Sequence, residues 1–150
     1  MTPHEQLDFE KVVKIHLVPS LQPFGFQVIQ STEPSSHIIE LHSDSLQLVV
    51  VFNWRECIPS YILIHTETKL EIESYFVEKF LGFKGQVIHT NVPIEEIAGK
   101  WLDQRAHWFA QNPQGLLTPE PAVLKLLKKQ MRRETRAYNR GWGVPSWWPW

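Results

Sequence analysis

The chain has 150 residues, 43% of them hydrophobic and 21% charged, with a formal net charge of −1. That length and balance suit one globular core and exclude a fibrous or largely disordered chain. The single cysteine, Cys57, excludes an intramolecular disulfide, and a chain this long builds a core without one. A lone thiol and a start, MTPHEQLDFEKVVK, without a basic-then-apolar leader pattern lead to the expectation of a cytoplasmic chain. No run approaches the roughly 18 apolar residues of a spanning helix.

In chain order, Phe9, Val12, Val13, Ile15 and His16 recur at helical spacing, with Asp8 placed to cap a first helix over about 8–18. Pro19 and Pro23 interrupt it, and Phe24-Gly25-Phe26 turns the chain towards an extended segment. HIIELH at 37–42, LQLVVVFN at 46–53 and YILIHT at 61–66 read as strands. The short polar residues Ser43-Asp44-Ser45 suit a hairpin between the first two, so an antiparallel meander is expected. Both alternating sets of the middle strand are apolar, which predicts that Val49, Val50, Val51 and Phe52 are all buried.

Ile72, Tyr75, Phe76 and Phe80 predict a helix over 71–81, although the aromatics also permit a strand. Pro93 followed by Glu95 and Glu96 opens a helix that runs to about Ala110, with Ile97, Ala98, Trp101, Leu102, Arg105, Trp108 and Phe109 on one side. Asn112-Pro113-Gln114-Gly115 ends it. A last helix follows Pro121 to about Tyr138, its packing side marked by Leu124, Leu127, Met131 and Tyr138. The fold class is α+β: an N-terminal helix, an antiparallel meander of three or more strands, and two C-terminal helices on the sheet. One domain covers 1–140, and a tail covers 141–150.

Two anomalies point to binding. Residues 125–140 carry Lys125, Lys128, Lys129, Arg132, Arg133, Arg136 and Arg140 against one acid, Glu134, which is +6 and leaves −7 on the rest of the chain. Such a helix suits an acidic protein partner or the phosphates of nucleic acid; its bland alternative is a solvated outer face on a helix packed by its apolar stripe. The tail GWGVPSWWPW then places Trp142, Trp147, Trp148 and Trp150 in ten residues. Indoles with prolines between them make economical anchors, on a partner or on the chain's own body.

Catalytic chemistry has no comparable signal. The seven histidines include His37, His42, His65 and His89 near predicted strands, but His37 and His42 are five apart and point to opposite faces of a regular strand. Neither a metal site nor a cofactor is expected. Cys57 is a nucleophile only if a histidine activates it, and a small buried thiol is the commoner role. Paired acids at Glu71 and Glu73 or at Glu95 and Glu96 are ordinary near helix starts. Trp54-Arg55-Glu56 is a rim site or a polar turn. No phosphate loop, nucleophile elbow or dinucleotide fingerprint is present. A small hydrolase or metal-dependent enzyme is therefore the third reading.

The order of first helix, Pro-rich turn with Phe24-Gly25-Phe26, and strand block from His37 to Thr66 resembles small bacterial immunity and orphan proteins of toxin systems. The resemblance covers about the first half of the chain and excludes the basic helix and tail. It implies stoichiometric inhibition of a toxin, with no binding residue carried over. The leading expectation is a non-enzymatic interaction domain for an acidic partner, with a nucleic-acid-binding accessory protein as the alternative; the oligomeric state is not legible.

Overall fold

The computed structural model describes residues 7–29, 37–89 and 91–141. The chain is α+β. Among the described residues five antiparallel strands form one sheet in chain order: β1 (Gln27–Val28), β2 (Ile38–His42), β3 (Leu46–Asn53), β4 (Ile58–His65) and β5 (Glu71–Glu73). Five α-helices accompany it: α1 (Phe9–His16), α2 (Val18–Leu21), α3 (Ser74–Leu81), α4 (Ile94–Ala110) and α5 (Pro121–Gly141).

Local chemistry sets the early boundaries. The Asp8 side chain accepts from the Lys11 amide at 3.2 Å, so one exposed donor of α1 is satisfied as expected. The two prolines break nothing, because Pro19 lies in the first turn of α2 and Pro23 in the first turn of the 3-10 segment Gln22–Phe24, where no amide is needed. Gly25, at φ 83°, then swings the chain into β1. The β2–β3 hairpin closes through Ser43, whose amide donates to the Leu46 carbonyl at 2.9 Å while its hydroxyl accepts from the Leu46 amide at 3.1 Å.

The sheet register layers the core. Ile39, Val50 and Tyr61 lie side by side across three strands, and Leu41, Leu48, Leu63 and Ile72 across four. All are buried, and the helices pack on this face through Phe9, Val13, Leu21, Trp101, Leu102 and Phe109. The period-2 alternation is cleaner than the sequence suggests. Val50 and Phe52 are buried, but Val49 and Val51 point to the other face and are only half-buried. The expectation of burial on both faces is corrected, because the described helices gather on one side.

Two other expectations shift. Glu71–Glu73 is a strand paired to β4 before α3 begins, so the helix expected over 71–81 occupies only its last eight positions. The third expected strand starts earlier, at Ile58, because Pro59 is buried opposite Phe52. Helix α4 lies against α1, α2 and β4, and the approach of α1 is close: a Cβ on Gly99 would meet the His16 ring at 2.9 Å. Helix α5 continues through Gly141, and its principal neighbour is α3 rather than the sheet.

Candidate functional site

Helix α5 earns its place through a narrow stripe. Leu124 and Leu127 are buried, Met131 and Thr135 half-buried, and the Thr135 hydroxyl donates back to the Met131 carbonyl at 2.9 Å. Glu134 faces the body and pairs with Lys79 on α3, which raises the lysine above its ordinary value. The one acid of the basic segment is thus taken up by a surface ion pair with α3.

The seven cations lie on the opposite side. At about 100° per residue, Lys125, Lys128, Lys129, Arg132, Arg133, Arg136 and Arg140 fall within an arc of about 140°, running about 23 Å along the axis. All seven are exposed, and among the described residues none makes a hydrogen bond, ion pair or ring contact with another side chain. The sequence brings these charges together, and the fold leaves them to solvent. Trp142, Trp147, Trp148 and Trp150, the other expected site residues, lie outside the described residues.

The remaining candidates resolve into structural roles. Asn53 Oδ1 accepts from the amides of Arg55 and Glu56 at 3.0 and 3.4 Å, so Trp54-Arg55-Glu56 forms a polar turn between β3 and β4. Cys57 closes that turn at φ 56°, half-buried, its thiol donating to the Trp54 carbonyl at 3.4 Å. His65 Nδ1 sits 2.8 Å from the Thr68 hydroxyl in the next turn, and His42 lies 3.5 Å from Glu40 on the outer sheet face. Among the described residues no three His, Cys, Asp or Glu side chains converge as metal ligands.

Sequence reasoning missed one polar cluster. Arg105 belongs by spacing to the apolar side of α4, and it does point there. Its guanidinium lies between the Trp101 and Phe83 rings, 4.1 and 4.4 Å from their centroids, and donates twice to Glu78 of α3 at 3.0 and 3.2 Å. Tyr61 lies beneath; burial, then the neighbouring Glu78 carboxylate, pushes its phenol well above the ordinary 10.0. The cluster ties α3, α4 and β4 together and has no opening to solvent large enough for a ligand. Beside it an open cleft of about 440 Å³ runs between the segment after α3 and α4, past Phe83, Lys84, Asp103, His107 and Trp108. Its polar lining is mostly exposed, which is poor shelter for a small molecule.

No family model, curated protein or solved structure matches the chain. Among the described residues no helix is long and apolar enough to cross a membrane.

Proposed function

We propose that the protein is a non-enzymatic cytoplasmic binding module whose last helix docks by charge on an acidic partner. The observation that carries this reading is the array of seven exposed cations on one face of α5, none of them paired among the described residues. The array is a burden to the isolated fold. Five pairs of like charge stand four residues apart, from Lys125/Lys129 to Arg136/Arg140, and each weakens a helix by about 0.2–0.5 kcal/mol. Only Arg140 lies in the last turn, where the helix dipole offsets a cation. An anionic partner removes that repulsion, so the array makes sense at an interface.

With a protein partner, the module is an immunity-type inhibitor that covers an acidic surface of a toxin. With nucleic acid, it is an accessory protein that neutralises phosphates. Trp142, Trp147, Trp148 and Trp150 follow the helix directly in sequence and supply anchors in either case, by filling pockets or by stacking on bases.

Retention on an immobilised sulfated polysaccharide tests the shared claim. The unaltered chain should elute at clearly higher salt than the Arg132→Glu/Arg136→Glu chain, because each lost cation releases fewer counterions. Co-elution of the two chains would refute the docking face.

A further inference from the structure

The docking face leaves the chemistry of its partner open, and the order of its charges carries the reading further. Lys125, Lys129, Arg132, Arg136 and Arg140 form a central row with intervals of four, three, four and four residues, flanked by Lys128 and Arg133. At 1.5 Å per residue the row steps by about 4.5–6 Å over about 23 Å. A polymer bearing one anion per repeat can meet such a row at every step.

The content of the arc is as telling as its spacing. Between Lys125 and Arg140 its only other member is Asn139. Protein interfaces seat apolar or aromatic anchors in a desolvated centre and keep charge at the rim. This face is rim chemistry throughout. Phosphate contacts need no apolar centre, since Arg, Lys and Asn donors suffice. A membrane surface would require a continuous apolar side, and α5 offers none: Leu124 and Leu127 are buried in the body, and the exposed Leu126 and Tyr138 stand twelve residues apart.

The geometry points to the phosphodiester backbone of a nucleic acid as the partner of α5, held by charge along the helix and without regard to base sequence. This inference rests on the docking reading above. With about five cations engaged, log K should fall with log salt at a slope of about −4.5 on a duplex and about −3.5 on a single strand.

The test titrates the full chain by fluorescence anisotropy against a mixed-sequence duplex of about 30 base pairs, its single strand and poly-L-glutamate, between about 50 and 200 mM salt. Nucleic acid should bind at least about tenfold tighter than poly-L-glutamate at equal anion concentration, with one of the slopes above. The form bound more tightly at equal salt is the preferred one. Arg132→Gln/Arg136→Gln in the central row should lower the slope by about 2 and the flanking Lys128→Gln/Arg133→Gln by less, while Lys11→Gln/Lys14→Gln on α1 leaves it unchanged. Equal or tighter binding of poly-L-glutamate overturns the inference and leaves the docking face standing. Binding of neither polymer at about 50 mM salt overturns both. Nucleic-acid binding that ignores both glutamine pairs, or that changes more than about tenfold with base sequence, also overturns the inference.

Discussion

Arg105 shows what one residue's spacing discloses and withholds. Its place on the packed side of α4 is legible, because helical periodicity is local. Its partner is not, because Glu78 lies 27 residues away on another helix. The pair is mostly buried, at 13% and 17% exposure, so removing one member strands the other. Glu78→Ala should lower the unfolding free energy by about 3–5 kcal/mol, and replacing both residues with apolar ones of similar size should recover part of it. Urea titrations of the single and double variants check this. Tyr61 adds a pH dependence. Its folded pKa is raised above 10.0, so the folded state holds the proton longer. That stability is present below the unfolded pKa near 10 and is lost as pH rises through the folded value. The stability gap between the unaltered chain and Tyr61→Phe should therefore be flat below about pH 9 and narrow or invert above about pH 10.

At the scale of elements, alternation decides which face of β3 matters. Val50 is 1% exposed at the centre of the sheet, and Val49 sits half-buried on the outer face. Val50→Ala should cost about 2–3 kcal/mol and Val49→Ala under about 1. Equal costs in chemical denaturation would contradict the one-sided core. Continuous apolar runs hide this sidedness, since Val serves β-strands on either face. The same limit explains 71–81. Glu71-Ile72-Glu73 alternates as a strand, but three residues are too few to outweigh the aromatic pattern that follows, and pairing with β4 settles the matter. The faces of α5 were legible because both stripe and cations repeat within the segment, except that Tyr138, expected on the packing side, is 66% exposed. That it packs on α3 was not, because Lys79 and Glu134 are 55 residues apart.

For the whole molecule, the opposed charges of +6 and −7 suggest an internal match, yet among the described residues the acids of the body and the cations of α5 do not pair. Glu134 and Lys79 form the one ion pair of α5 among the described residues, and there the helix supplies the acid. The core is a continuous apolar cluster from sheet and helices, so exhaustive chelation should leave the melting temperature unchanged; a drop of several degrees would reveal a structural metal.

The central claim is that the cations of α5 serve binding rather than folding, and one variant measured twice tests it. Arg132→Glu/Arg136→Glu should leave the melting temperature unchanged or raise it by a few degrees, since both side chains are exposed and unpaired among the described residues and the change turns two like-charge pairs into unlike ones. The same variant should lose at least about tenfold in affinity for a polyanion at low salt. A marked fall in melting temperature with affinity intact would mean that the charged face serves the fold, and would contradict the account.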